Sequence, residues 1–316
     1  MRYKSQLRSV LIIYDHELVL SLALLRLCSL TLSYCLSSLI IWPDFIMSSP
    51  SVFGVASFCI ITGASRGLGR ELALSLGSHL GDKSLMVLTA RSSADLEDTS
   101  KQVSACSPGV TVKTVTGDLG DESKAEDAIT RMFEGVECSQ YQHAMLIHNA
   151  GSLGEMSYIC DLSPGLQTLR QCFTLNVTSC MALSTKFLRV FPKRDGQRRT
   201  MVHISSLCAI QPMKSLSLYC STKAARDMFM KTMAIEDSEL RVLNYSPGAL
   251  DTAMNDAIVT QAGDSELREK MAENKSTPYF LTTAATCKVL LKLLTEDTFE
   301  SGKHIDYWDV EVPPKN

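Results

Sequence analysis

Tyr219 and Lys223 stand four residues apart in Tyr-Cys-Ser-Thr-Lys, and Ser206 lies thirteen residues before the tyrosine. On a helix, that spacing puts a phenol and an ammonium on one face, one turn apart. A phenol with its ordinary pKa of about 10 is a poor acid–base catalyst at neutral pH. A cation beside it favours the phenolate and is expected to lower that value. Tyr219 can then give its proton to a carbonyl oxygen as the attached carbon is reduced. Ser206 is placed to hydrogen-bond the same oxygen and hold it. A Tyr-x-x-x-Lys pair occurs by chance in many helices, so its weight depends on what accompanies it.

What accompanies it is a glycine turn. Thr62-Gly-Ala-Ser-Arg-Gly-Leu-Gly69 follows the apolar run Ser57-Phe-Cys-Ile-Ile-Thr62 and opens a helical stretch. Glycine allows tight turning and close approach of backbone to a pyrophosphate, and the free N–H groups of a helix start attract anions. Gly63, Ala64, Ser65, Arg66, Gly67, Leu68 and Gly69 therefore form a candidate dinucleotide cradle, spaced G-x-x-x-G-x-G. An acid about 20 residues further on would favour NAD through the ribose 2′-hydroxyl. Here the second apolar run ends Thr89-Ala90-Arg91-Ser92, with no acid. Arg91, with Arg66 from the glycine turn, suits the 2′-phosphate of NADP(H). Asp118 and Leu119 close the third strand-like run, where an adenine would lie, and Asn149-Ala150-Gly151 close the fourth. Lys223 is also a candidate grip on the nicotinamide ribose, and Asn176 a candidate to hold a water in a proton relay behind that lysine.

The elements that must position these groups alternate. Strands are expected at 57–62, 85–90, 110–115, 144–148, 201–206, 240–245 and 303–308. Helices are expected at 70–79, 94–105, 121–134, 165–191, up to Glu236 around Tyr219, and at 282–295. Buried parallel strands read as short apolar runs, and alternation with helices specifies a doubly wound parallel α/β sheet, the Rossmann fold, in a single domain. The polar stretch 251–276 reads as a mobile helical lid.

Of 316 residues, 45% are hydrophobic and 21% charged, and the net charge of -3 comes without a Lys/Arg block, so nucleic acid is not an expected partner. The eleven cysteines include no C-x-x-C pair. That excludes the usual zinc and thioredoxin-like signatures, no metal is expected, and a reducing cytoplasm suits the pattern. Residues 1–52 differ from the rest. Within them, 18–42 are mostly Leu, Ile, Val, Ser and Cys with Arg26 as the only charge, long enough to span a bilayer. The segment reads as a signal anchor, an amphipathic tether, or a non-native or optional extension. We adopt the last, because Met47-Ser-Ser-Pro-Ser makes a natural start and 53–316 holds every motif.

Taken together, Thr62 to Gly69, Asn149-Ala-Gly151, Ser206, Tyr219 with Lys223, and Pro247-Gly248 resemble the short-chain dehydrogenase/reductase family. Longer strings, among them Ile204-Ser-Ser-Leu-Cys-Ala-Ile-Gln-Pro212 and Tyr219-Cys-Ser-Thr-Lys-Ala-Ala-Arg-Asp227, resemble its pterin-reducing members over about 55 to 309. That resemblance implies NADPH-dependent reduction of pterin side-chain ketones at the end of tetrahydrobiopterin synthesis, by a homodimer. It implies cofactor contacts at Gly63 to Gly69, Ala90, Arg91, Asp118, Leu119, Lys223 and Leu250, Asp251, Thr252, Ala253, Met254 and Asn255. It implies substrate contacts at Ser206, Leu207, Tyr219, Gly248 and Asp306. A carboxylate at Asp306 suits the adjacent N–H donors of a pterin edge. His148 departs from the family pattern, which usually has a second Asn there. Two rival readings are a membrane-tethered reductase of a lipophilic ketone and a non-enzymatic NADPH sensor.

Overall fold

The computed structural model describes residues 52–163 and 165–311. The expected segment 18–42 lies outside them. Among the described residues, no helix is long and apolar enough to cross a membrane.

Seven parallel strands form one sheet. In chain order they are β1 (Ser57–Thr62), β2 (Ser84–Ala90), β3 (Val110–Thr116), β4 (His143–His148), β5 (Arg198–Ile204), β6 (Leu240–Ser246) and the edge strand His304–Asp306. The spatial order is β3-β2-β1-β4-β5-β6 and then the edge strand. Chain direction across the sheet reverses between β1 and β4, which opens a crevice at their carboxyl ends. All six residues of β1 are buried, as a strand covered on both faces requires. Its side chains alternate. Phe58 and Ile60 face a core shared with Phe187, Phe191 and Met230. Cys59 and Ile61 face another with Leu72, Leu76 and Leu290.

The flanking helices are α1 (Gly67–Gly77), α2 (Ser93–Cys106), α3 (Glu122–Met132), α4 (Leu166–Phe173), α5 (Ser179–Val190) and α6 (Ser217–Glu236). The 251–276 stretch folds into α7 (Ala253–Gln261) and α8 (Ser265–Asn274), followed by α9 (Thr283–Glu296). Three details differ from the sequence expectation. The long helix expected over 165–191 is α4 and α5 joined by a π-helical turn, Thr174–Thr178, which contains Asn176. A two-stranded sheet, β7 (Ala249–Leu250) with β8 (Phe280–Leu281), brackets these two helices in sequence; each strand is too short to leave a periodic signal. The last strand, β9 (His304–Asp306), ends early because Asp306 caps a helical turn, α10 (Tyr307–Val310). Its carboxylate accepts from Trp308 N, while Asp309 returns a bond to the Asp306 N–H, a capping box.

Candidate active site

The glycine turn is built by local necessity. Gly63 and Gly67 hold φ +69° and +55°, a region costly for residues with a Cβ. At Gly69 a Cβ would fall 2.1 Å from the Gly63 carbonyl oxygen, so the helix start can lie against the turn only as glycine. Asn149 donates from Nδ2 to Thr62 O at 2.9 Å and Gly63 O at 3.2 Å. Its amide is therefore spent on bracing the turn. The Thr62 hydroxyl accepts from the N–H groups of Asn149 and Ala150, both at 3.0 Å, locking β1 to the end of β4.

Like α4 to α7, α1 starts without a side-chain cap, at Arg66, and it has no acid in its first turn. Its leading N–H groups are left for an anion. Arg66 and Arg91 are both exposed. Arg91, Lys124 and Arg131 line an open cavity of about 450 Å³ with Asp118 and Asp127, and Asp127 pairs with Arg131 at 2.8 Å. Asp118 accepts from Gly120 N at 2.9 Å, and Leu119 is buried beside it. Thr252 lies across from the turn, its methyl 3.8 Å from where a Gly67 Cβ would stand, which brings the 250–255 segment over the cradle. Ala64, Ser65 and Leu68 sit within the turn, Ala90 ends β2, and Asp251, Ala253, Met254 and Asn255 follow Leu250 into α7. These features fit a dinucleotide: a glycine-only approach, a helix start with free N–H groups, and the exposed Arg66 and Arg91 beside it.

Ser206, Tyr219 and Lys223 converge at the carboxyl end of β5. Lys223 is 5% exposed and donates from Nζ to Ile204 O at 2.6 Å. Its Nζ lies 5.4 Å from the Tyr219 ring centroid, over the ring. Ser206 caps a short 3₁₀ turn, accepting from Cys208 N at 3.2 Å, and its hydroxyl acts on the Tyr219 phenol to favour the phenolate. Leu207 is half-buried in that turn. Tyr219 packs with Leu153, Met156, Leu216 and Ile258 in an apolar cluster.

The electrostatics differ from the simple expectation. Burial pushes the Tyr219 phenol above its ordinary range, helped by the Cys208 thiol and opposed by the Ser206 hydrogen bond and the Arg226 charge. Burial, and then the Arg226 guanidinium, lower the Lys223 ammonium to about 7, with Asp227 opposing. The pair therefore presents a protonated phenol beneath a lysine whose pKa lies at about 7.

Asn176 is 2% exposed. Its Oδ1 accepts from Ser152 N, and its Nδ2 donates to Ser152 O, both at 2.9 Å. Nδ2 also reaches Thr222 Oγ1 at 3.4 Å, one residue before Lys223. Asp306 is half-buried, held by Ser246 Oγ at 2.5 Å and Trp308 N at 3.0 Å. A carboxylate has about four lone-pair sites, so acceptor capacity remains. Gly248, at φ +76°, packs against Leu281, where a Cβ would come within 2.8 Å. His148 turns its ring away from the turn to Ser184 Oγ at 2.8 Å.

Sequence reasoning missed Arg226, Asp227, Ser205 and His304. Arg226 donates to Ala150 O and His148 O, both at 3.0 Å, which ties α6 to the end of β4. Asp227 carried a signal, because it stands one helical turn after Lys223.

A family model described as short chain dehydrogenase matches residues 57–263. The chain belongs to the short-chain dehydrogenase/reductase family and is a nicotinamide-dependent oxidoreductase acting on a small molecule. Among curated proteins it is similar to sepiapterin reductase of Rattus norvegicus, 38% identical over 252 residues, covering 80% of this chain and 96% of that protein. It is similar to sepiapterin reductase of Xenopus tropicalis at 38% identity, covering 79% and 96%. It is more distantly similar to a benzil reductase of Bacillus subtilis (strain 168) at 29% identity, covering 78% and 96%. Among solved structures, levodione reductase superposes with a TM-score of 0.66 at 20% identity, covering 80% of this chain and 95% of that one. A short chain dehydrogenase from Shigella flexneri complexed with NADP superposes at 0.62 and 22% identity, covering 79% and 96%. Both share the fold.

Proposed function

We propose that the protein is an NADPH-dependent reductase of pterin side-chain ketones, working as sepiapterin reductases do. One observation carries the chemistry: the buried Tyr219 phenol lies under an ammonium that is fixed on the Ile204 carbonyl, with Ser206 just past the end of the same strand. When bound, the nicotinamide supplies the hydride. Ser206 Oγ and Tyr219 Oη would both donate to the substrate carbonyl oxygen, and the Tyr219 proton moves to that oxygen as the carbon is reduced. The phenolate left behind is stabilised by the nearby Lys223 ammonium. One Nζ proton is used on Ile204, which leaves two donors for ribose hydroxyls. Asn176 would steady the loop at Ser152 and hold a water behind Lys223 for reprotonation.

Cofactor choice is read from Arg66 and Arg91, two cations and no acid at the end of β2, which favours a 2′-phosphate. Substrate choice is read from Asp306, whose spare acceptor sites suit an amino-pyrimidine edge and would be costly in an apolar steroid pocket. Met228 and Ile235, 63% and 85% exposed on α6, suit the helix-paired homodimer expected from the resemblance.

The test is turnover of sepiapterin with NADPH, run beside NADH and a steroid ketone. We expect sepiapterin to be reduced with NADPH preferred. In Asp306→Ala the KM should rise roughly tenfold to a hundredfold, the worth of a charge-assisted hydrogen bond. Tight NADPH binding without sepiapterin turnover would overturn the pterin assignment.

A further inference from the structure

Asp227 lies one helical turn beyond Lys223 on α6 and is 3% exposed. Its carboxylate is met from two strands besides its own helix. The Ser205 hydroxyl, just past β5, donates to Oδ1 at 2.6 Å. His304 Nδ1, on β9, lies 2.5 Å from Oδ2. His203 Nε2, on β5, is 3.4 Å from Oδ1.

The positions of these partners matter. Ser205 immediately precedes Ser206, and His304 stands two residues before Asp306. One buried carboxylate thus touches the chain next to the carbonyl-holding serine and next to the substrate acid, and it shares a helix face with the lysine. The proton transfer described above does not use it. A buried carboxylate is costly unless paired, so its retention beneath the site calls for a reason.

The charges facing Lys223 give one. From its own helix these are Arg226 and Asp227; the Cys208 thiol faces it from the turn after β5 and the Cys180 thiol from α5. Burial and Arg226 disfavour the ammonium, whereas Asp227 favours it; the two thiols, their pKa values pushed up, are uncharged where Lys223 titrates. His203, His304 and, beyond them, His148 complete the titratable groups around Asp227.

We propose that Asp227 is a positioning residue of this active site, tying the strand ends that carry Ser206 and Asp306 to the catalytic helix one turn beyond Lys223. The proposal rests on the reading of Tyr219 and Lys223 as the proton-donating pair. The sign follows from charge. Removing the carboxylate's negative charge weakens the ammonium, so Lys223 loses its proton at lower pH. The alkaline fall of kcat/KM for carbonyl reduction then moves to lower pH.

The test compares Asp227→Asn with Asp227→Glu. NMR of lysine labelled at its ε-carbon follows Lys223 without any turnover. In Asp227→Asn we expect its midpoint, and the alkaline limb of kcat/KM, to move down by about one unit, a tenfold loss of proton affinity. Asp227→Glu should restore both. A resonance and a limb that stay in place, with only Tm and kcat lowered at every pH, would overturn the proposal. If Asp227→Asn does not fold, His304→Gln carries the test by severing one tie. It should raise KM for the carbonyl substrate about tenfold, with a smaller change in kcat; an unchanged KM would overturn the proposal. If the parent protein reduces no carbonyl while the Lys223 midpoint still moves, the reductase reading fails and the role of Asp227 stands.

Discussion

The two ends of the parallel sheet treat their buried polar groups differently. At the amino end, both His143 ring nitrogens are engaged, Nδ1 with Val52 O at 3.1 Å and Nε2 with Thr200 Oγ1 at 2.9 Å. Arg199, 3% exposed, pairs with Asp237 at 2.9 Å, and Arg198 and Arg241 share Asp297. The atoms without partners there are neutral ones such as Gln197 Oε1 and Ser107 Oγ. At the carboxyl end, neither His203 ring nitrogen is hydrogen-bonded, and Arg226 Nε, His304 Nε2 and Trp308 Nε1 lack partners among the described residues. Each such group costs on the order of 1–3 kcal/mol. One end completes its own pairing and holds the fold. The other leaves ring and guanidinium nitrogens short of partners, beside the residues arranged for chemistry.

That contrast can be broken by mutation. The largest effect should come from Tyr219→Phe, which removes the proton donor and should lower kcat for carbonyl reduction by about 10²–10⁴-fold, with cofactor binding retained. Fluorescence titration of NADPH beside steady-state kinetics checks it. Next is acid stability from the opposite end. Burial, with Arg198 adding, holds the His143 pKa down at about 4 against 6.5 unfolded. The unfolded chain therefore takes up this proton first as pH falls. Stability from His143 is complete above about 6.5, declines through that window and is spent below about 4, a loss of about 3 kcal/mol. Denaturant midpoints measured at pH 7 and pH 4, with His143→Gln as control, should show that share vanish in the variant.

Arg91→Ala should weaken NADPH by roughly tenfold to a hundredfold and leave NADH nearly unchanged, as loss of one charged phosphate contact predicts. The smallest effect is expected from Arg199→Met. Asp237 is 28% exposed and regains water, so the loss should be about 1–2 kcal/mol, seen in Tm with turnover intact.

Much of this was legible in the sequence because the legible parts are local. Apolar runs became the parallel strands, and Gly63, Gly67 and Gly69 sit where backbone geometry admits no side chain. Tyr219 and Lys223 share a helix face because the helical repeat puts them there. What was not legible depends on contacts distant in the chain. Asn149 also braces the glycine turn through its amide, a bond to residues 86 and 87 positions earlier that no local pattern encodes. The charge of Lys223 was expected to lower the Tyr219 pKa, but burial acts the other way and is larger. The meeting of Ser205, Asp227 and His304 joins β9 to α6 across 77 positions, and no local pattern encodes it.

The most direct test of the division between the two ends is a crossed comparison of Tyr219→Phe and Arg199→Met, each assayed for NADPH-dependent carbonyl reduction and for Tm. The account predicts that Tyr219→Phe loses turnover and keeps its Tm, while Arg199→Met keeps turnover and loses Tm. Turnover surviving in Tyr219→Phe, or collapsing in Arg199→Met while the protein remains folded, would contradict it.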